Sequence, residues 1–274
     1  AKACVKDTNS IKVTVVNFTP GSIGSDQTIC ENSAPAAFTS VAASGDGSFA
    51  YSWESSPTGA APWTPLGVST PAYTSPALST DMYFRRAATS TLGAASCTLY
   101  SNTIHVTINS FDPGSIAADQ TICESTAPLA FTSVPPSGAA SFVFQWQNSS
   151  DGINYSNISG ATNATYTSSA LAVDTWFRRQ VTATLNGRAC IEITDTVLVT
   201  VNNLTAGSIA GTQTICEGDI PVALTETAAP TNDGALVFQW QESPDNSTWA
   251  NVAAGGNGAT YAPPALIADT WYKR

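Results

Sequence analysis

Six cysteines, placed at a fixed interval, give this chain its clearest chemical signal, which is oxidation to disulfides. They form two series that advance by 93 residues: Cys4, Cys97 and Cys190 in one, and Cys30, Cys123 and Cys216 in the other. The sequence contains no C-x-x-C motif, and its single histidine, His105, is replaced by Leu198 one period later. Zinc ligation is therefore a poor fit, and the cysteines indicate disulfides in an exported protein.

The most economical pairing lies within a repeat, where Cys30 would bond to Cys97 and Cys123 to Cys190. Each bridge would join residues 67 positions apart, a loop worth about 4 kcal/mol in the chain-entropy model. Cys4 and Cys216 would then have partners outside this chain. In a plain immunoglobulin topology the two cysteines of a repeat lie at opposite ends, so this pairing requires an opening segment that is not one full-length strand.

A competing pairing joins neighbouring cysteines across each repeat boundary. Its pairs are Cys4–Cys30, Cys97–Cys123 and Cys190–Cys216. It uses all six cysteines, but each pair is 26 residues apart across a strand and a linker that should run onward. We favour the pairing within a repeat, and the alternative stays open.

Other polar residues give little catalytic signal. A Ser-His-Asp triad needs a histidine oriented by a carboxylate, and a glycosidase needs two opposed carboxylates. His105 lies alone in a predicted strand, and Glu31, Glu124 and Glu217 each follow a cysteine singly. No phosphate-binding loop, dinucleotide motif or calcium loop occurs. We expect no enzyme activity, no metal and no cofactor.

Aromatic residues recur at two positions of each copy. Trp53, Trp146 and Trp240 fall on the predicted third strand, where an immunoglobulin-type domain buries its tryptophan, so we assign them to the core. A second set follows that strand and could contact a glycan, although one aromatic per copy more often belongs to the rim of the core: Trp63, Tyr155 and Trp249.

The amino-acid sequence around the cysteines repeats as well, which is the signature of a domain array. "PGSIGSDQTICE", "PGSIAADQTICE" and "AGSIAGTQTICE" begin at Pro20, Pro113 and Ala206. We place whole repeats at 18–110 and 111–203, and a third at 204–274 that lacks its last strand. Residues 1–17 match the terminal strand of a preceding repeat, and that strand could complete the third repeat of another chain by strand addition.

Short alternating segments predict the fold of each repeat. In the second copy, strands are predicted from Ala127, over "SFVFQWQNS" from Ser141, over "DTWFRRQVTATL" from Asp174 and over "ACIEITDTVLVTV", with a hairpin turn at "NGR". Six or seven such strands with turn signals every 8–12 residues indicate an antiparallel sandwich. The predicted fold class is all-β, with tandem immunoglobulin-like β-sandwich domains arranged end to end.

The charge pattern limits the partners. The net charge is −10 and charged residues make up 11% of the chain, against about 25% in typical domains. Nucleic acid is disfavoured because it requires clustered Lys and Arg. The basic pairs Arg85–Arg86, Arg178–Arg179 and Lys273–Arg274 recur at one repeat position, which predicts a structural role. No apolar run is long enough for direct membrane insertion.

The combination of "PGSIAADQTICE", "FQWQ", "DTWFRR" and the closing "C…T.TV.VTV" resembles the immunoglobulin-like repeats of giant surface proteins of Bacteroidota. These include gliding-motility adhesins exported by type IX secretion. The similarity covers essentially the whole chain. It implies a secreted filament attached to the outer membrane, whose partners are neighbouring repeats and the anchor or motility machinery. It carries no catalytic residue across.

We therefore predict a structural stalk of a cell-surface adhesin, in surface attachment or gliding motility. One alternative is a set of polysaccharide-binding modules that use the loop aromatics. Another is an accessory immunoglobulin-like region of a large exported enzyme. A glycan array separates the first alternative from the stalk.

Overall fold

The structure is a computed structural model that describes residues 1–138 and 140–274, and every regular element in them is a β-strand. The chain forms two compact units. Unit 1 contains Ala1–Gly114, Pro135–Val143 and Gln180–Ile193, which comprise residues 1–17, the first repeat and the hairpin end of the second. Unit 2 contains Ser115–Val134, Phe144–Arg179 and Thr194–Arg274.

Ten strands belong to the first repeat. They are β1 (Phe18–Thr19), β2 (Ser22–Ile23), β3 (Gln27–Cys30), β4 (Ser40–Val41), β5 (Ser44–Gly45), β6 (Ser48–Ser56), β7 (Thr64–Pro65), β8 (Met82–Leu92), β9 (Ala95–Tyr100) and β10 (Ile104–Asn109). Nine strands belong to the described residues of the second repeat. They are β11 (Phe111–Asp112), β12 (Ser115–Ala117), β13 (Gln120–Cys123), β14 (Thr132–Val134), β15 (Ser137–Gly138), β16 (Ser141–Ser149), β17 (Ser156–Asn157), β18 (Thr175–Leu185) and β19 (Arg188–Asn202).

The third repeat has seven short strands within the described residues. They are β20 (Leu204–Thr205), β21 (Ser208–Ala210), β22 (Thr225–Ala228), β23 (Thr231–Asn232), β24 (Gln241–Ser243), β25 (Ala250–Asn251) and β26 (Trp271–Lys273). Residues 213–216, the counterpart of β3 and β13, are not in a strand.

The first repeat is a two-layer sandwich. Its larger sheet has the strand order β3-β10-β8-β6-β7, with β9 extending the hairpin from β8. The other layer is built from the β2–β4 pair and from single bridges, Phe38 to Tyr73 and Ser33 to Leu78. The second repeat has the matching order β13-β19-β18-β16-β17 and the β12–β14 pair. These are immunoglobulin-like sandwiches, as predicted.

The opening segment of each repeat changes layers. In the first repeat, β2 pairs antiparallel with β4 in one layer, whereas β3 pairs parallel with β10 in the other. The second repeat divides its opening segment in the same way, between β12 and β13. We call the last strand of each complete repeat, β10 or β19, its closing strand. The parallel register places Cys30 beside Asn109 and Cys123 beside Asn202, at the end of the closing strand.

The core of each repeat centres on a fully buried tryptophan. Trp53, Trp146 and Trp240 are 0% exposed, and each indole N–H donates to a loop carbonyl at 2.9 Å: Thr70, Asn163 and Gly258. In unit 1, Trp53 packs near Phe38 and Tyr73, with ring centroids 6.0 and 5.5 Å away. Burying such a ring contributes on the order of 3 kcal/mol, so these residues hold the fold.

Candidate functional site

The disulfide of the structure joins Cys30 of the first repeat to Cys190 in the hairpin of the second. The two residues are 160 positions apart in sequence, and their Cα atoms are 5.6 Å apart. The predicted pairs within a repeat, Cys30–Cys97 and Cys123–Cys190, are therefore wrong, and so is the competing pairing of neighbours. Cys4, Cys97, Cys123 and Cys216 are exposed free thiols.

The strand register explains why Cys30 does not reach Cys97. Cys30 lies opposite Asn109, at the far end of the closing strand, whereas Cys97 lies opposite Ser90 in the β8–β9 hairpin. Asn109 lies twelve positions after Cys97, about 40 Å of extended chain at ~3.3 Å per residue. A disulfide tolerates a Cα separation of at most about 7 Å.

Hydrogen bonds reinforce the contact between the first repeat and this hairpin inside unit 1. The buried Asn109 side chain donates to the carbonyl oxygens of Ala183, at 2.9 Å, and Arg188, at 3.0 Å. Asn186 donates to the Thr28 hydroxyl at 3.2 Å. We call the set Thr28, Cys30, Asn109, Ala183, Asn186, Arg188 and Cys190 the junction.

The hairpin that enters the junction depends on its turn residues. Asn186 and Gly187 have φ values of +49° and +78°, the left-handed pair that a tight two-residue hairpin requires. The "NGR" motif predicted this turn, and it places Cys190 two residues into β19. Asn109 was missed, although an asparagine ends the closing strand in both complete repeats, at Asn109 and Asn202.

A matching set of residues lies in unit 2. Cys123 is beside Asn202 in the β13–β19 register, as Cys30 is beside Asn109. Together with Glu124, Leu204 and Asn232, among others, they line a cavity of about 370 Å³. The Asn202 side-chain oxygen is buried there without a hydrogen-bond partner.

The second basic residue of each recurring pair is built into the sandwich. Arg86 and Arg179 are 0% exposed, and Arg274 holds the same position in the third repeat. Arg86 donates to the carbonyl oxygens of Pro71, Pro20 and Val41, at 2.8, 3.0 and 2.7 Å, and to the Ser40 hydroxyl. Desolvation lowers the pKa of Arg86 and of Arg179. These arginines are structural.

The first basic residue of each pair covers the loop aromatic that was a candidate for glycan contact. Arg85 lies 4.2 Å from the Trp63 ring centre and pairs with Glu54 at 2.7 Å. The same stacking joins Arg178 to Tyr155 at 3.8 Å and Lys273 to Trp249 at 4.2 Å. A cation therefore occupies one face of each ring, and sugar contact at Trp63, Tyr155 and Trp249 stays a prediction.

Several acidic residues tie backbone instead of gathering into a site. His105 lies 3.0 Å from Asp81 and stacks on Tyr83, while the other Asp81 oxygen accepts from the Ile108 amide at 2.8 Å. Asp26 accepts from the His105 amide at 2.8 Å. Within residues 1–138 and 140–274, no group of three or more His, Cys, Asp or Glu could hold a metal ion.

The third repeat contains an open groove of about 680 Å³, between the residues around Ile209–Glu217 and those around Leu266–Tyr272. In the complete repeats, the closing strand fills this place with residues that are at most 8% exposed: Ile104, Val106 and Ile108, and Val197, Val199 and Val201. Residues 1–17 contain the equivalents of Ile104, Val106 and Ile108 one period earlier. These are Ile11, Val13 and Val15, and all three are exposed.

Comparison with known proteins identifies a family. The model of a domain of unknown function, DUF8696, matches residues 19–110, 112–203 and 205–274, and the chain belongs to that family. No curated protein sequence matches the chain. In the part of the chain that the structure describes, no helix is long and apolar enough to span a membrane.

Solved structures of multi-domain chains give weaker similarities. Three N-terminal domains of the outer capsid protein Hoc of bacteriophage RB49 are 12% identical, with a TM-score of 0.36, over 94% of this chain and 86% of that one. Domains A168–A170 of titin are 14% identical, with a TM-score of 0.32, over 94% of this chain and 91% of that one. Sidekick-1 immunoglobulin domains 1–5 are 12% identical at 0.29, over 89% of this chain and 52% of that one. The fold assignment therefore rests on the strand order.

Proposed function

We propose that this chain is part of the load-bearing stalk of a secreted adhesin, attached to the outer membrane and used in surface attachment or gliding motility. The Cys30–Cys190 disulfide carries this proposal because it fastens one repeat to the next covalently. A link between consecutive domains serves a tether under tension, and disulfides persist in oxidising compartments outside the cytosol.

The recurring residues support a mechanical role. The tryptophan, the buried arginine and the aspartates that hold the closing strand are repeated, and their side chains are engaged within the repeat: Trp53 and Trp146, Arg86 and Arg179, Asp26 and Asp119, Asp81 and Asp174. These shared side chains therefore build the domains, and they leave no recurring polar side chain of this set free for chemistry. Export by type IX secretion and an anchor or motor as partner rest on the sequence resemblance.

Labelling of intact cells of the source organism tests the proposal. Fab fragments raised against the purified chain should bind unpermeabilised cells and reduce attachment to glass, whereas Fab fragments from the pre-immune serum should do neither. Binding only after permeabilisation would refute a surface location. Micromolar binding of the chain to polysaccharide on a glycan array, lost on Trp63→Ala, would instead favour the binding-module alternative.

A further inference from the structure

We propose that the Cys30–Cys190 disulfide is an extension limiter, which carries tension past most of the two repeats it joins, so that unfolding of residues 31–189 cannot lengthen the chain. This inference deepens the proposed stalk function and rests on it for its purpose. Its physical basis is the covalent connectivity together with the position of both cysteines in the strands.

The disulfide shortens the covalent path through the chain. Residues 31–189 lie between the two bonded cysteines, so once the non-covalent contacts have opened, a chain pulled at its ends transmits force only through residues 1–30 and 190–274. That path contains 115 of the 274 residues. At ~3.5 Å per extended residue, its limit is about 400 Å, against about 950 Å for the open chain.

Most of both hydrophobic cores lies inside the bypassed loop. Trp53 and Phe84 of the first core and Trp146 and Phe177 of the second are among the enclosed residues. If a load opens either sandwich, the released chain stays slack behind the disulfide. Residues 31–189 correspond to roughly 550 Å of extended chain, and this length therefore does not add to the end-to-end extension of the stalk.

Both cysteines lie close in sequence to the positions where the chain enters and leaves the pair of repeats. Cys30 ends β3, twelve residues after the start of the first strand at Phe18, and Cys190 lies in the closing strand that ends at Asn202. The Asn109 bonds to Ala183 and Arg188 hold the hairpin against the first repeat. Under low load these non-covalent contacts act beside the disulfide, and when they open the covalent bond remains.

The same connection can recur at the 93-residue step. Cys123 and Asn202 repeat the arrangement of Cys30 and Asn109, and Cys97 holds the hairpin position of Cys190. The connecting rule is that the "QTIC" cysteine of one repeat bonds to the hairpin cysteine of the next. This rule would make each junction of an array an extension limiter.

Single-molecule stretching of the whole chain tests the limiter. The air-oxidised chain, held by peptide tags at both termini, should stop extending near 400 Å even after all repeats unfold. Reductant, or the double substitution Cys30→Ser and Cys190→Ser, should raise the final length to about 950 Å, a roughly 2.4-fold increase. The single variants Cys97→Ser and Cys123→Ser are matched controls and should keep the short limit.

The alternatives predict other lengths. Disulfides Cys30–Cys97 and Cys123–Cys190 would leave 142 residues in the path, about 500 Å, and an oxidised wild-type chain reaching either 500 or 950 Å would overturn the limiter. The length of an unfolded chain does not depend on how well a variant folds, so a destabilised variant still gives an answer. The two experiments are independent. A long final extension would refute the limiter without changing the result of the surface labelling, and an absence of surface labelling would refute the stalk without changing the measured extension.

Discussion

The buried arginine links the two layers of each sandwich. In the first repeat, the guanidinium of Arg86 lies 4.5 Å from the Tyr51 ring centre and donates to backbone carbonyls, including that of Val41 in β4. Burial lowers its pKa while Tyr51 raises it. Charge-assisted hydrogen bonds of this kind offset the desolvation only while the whole set of acceptors is present.

Removal of this guanidinium should destabilise the first repeat. Arg86→Met leaves the part-buried oxygens of Pro20, Val41 and Pro71 without their donor. An acceptor that loses its donor costs up to about 1–3 kcal/mol, and less where water can replace the donor. We expect a loss of about 2–4 kcal/mol, measured by urea unfolding followed through tryptophan fluorescence. The neighbouring variant Arg85→Met is the matched control, with an expected loss of about 1 kcal/mol. Equal losses in the two variants would contradict a special role for Arg86.

An aspartate turn in the second repeat should make stability depend on pH. The Asn154 backbone amide lowers the pKa of Asp151 most strongly, helped by the Asn154 side chain, Ser149 and the Ile153 amide. Since folding lowers this pKa, the stabilisation is complete above the unfolded value of about 3.9 and is lost as the pH falls toward the folded value. Asp151→Ala should therefore lower the melting temperature at pH 7, and its difference from wild type should shrink below about pH 3.9.

The first repeat supplies the control for this turn. Thr58 holds the position of Asp151, and its hydroxyl accepts from the Ala60 amide at 3.3 Å. Because a hydroxyl does not titrate in this range, any loss caused by Thr58→Ala should be independent of pH. A constant difference for Asp151→Ala between pH 7 and pH 2 would contradict the carboxylate's role.

Strands that pair with a sequence neighbour were predictable. The alternation around Trp146 predicted β16 over Ser141–Ser149, and the "NGR" turn predicted the hairpin between β18 and β19. The strand predicted from Ala127 is reduced to β14, Thr132–Val134, together with one hydrogen bond from the Phe131 amide to Tyr166. The preceding residue, Thr126, forms a single bridge with Leu171. Periodicity reports which face of a strand is buried, but not how many ladder bonds its edge forms.

The parallel pairing of "QTIC" with the closing strand was not predictable from its own residues. Gln27 and Val106, which face each other in this register, are 79 positions apart, and the short segment has no pattern that selects its partner. The third repeat supports this dependence, because residues 213–216 form no strand and, among the residues that the structure describes, no closing strand lies beside them. Gln213 nevertheless keeps the recurring bonds to the backbone of Val222, at 2.7 and 2.9 Å.

A peptide with the sequence of residues 194–203 should fill the groove of the third repeat. In the second repeat that segment buries Val197, Val199 and Val201 in the equivalent place, and strand addition supplies backbone hydrogen bonds as well. We expect hydrogen exchange by mass spectrometry to show slower exchange at residues 212–217 when the peptide is added.

The matched control for this experiment is the same peptide with Val197→Asp and Val199→Asp. It keeps the length and the backbone donors but places charge against Ile209 and Leu224, so it should give no protection. Equal protection by both peptides would show that binding does not use the apolar face of the closing strand.

The disulfide differs from its prediction by one period. The cysteine interval predicts oxidised pairs that recur, and it fits equally a partner in the same repeat or one repeat further on. Cys30 and Cys190 are 160 residues apart, one 93-residue period more than the separation of Cys30 and Cys97. Only the position of β3 at the far end of the closing strand decides between them, because that position faces the hairpin of the following repeat.

Mapping of thiols in the unreduced chain should separate these possibilities directly. After alkylation and digestion without reductant, we expect one cross-linked peptide pair containing Cys30 and Cys190, and alkylated Cys4, Cys97, Cys123 and Cys216. A cross-link between Cys97 and Cys123, or between Cys30 and Cys97, would contradict the junction.

The four free thiols are exposed and can also bond between molecules, so the chain should be oxidised in dilute solution. Cross-links between different molecules form less often on dilution, whereas the Cys30–Cys190 bond closes within one molecule and should form at the same yield at every concentration.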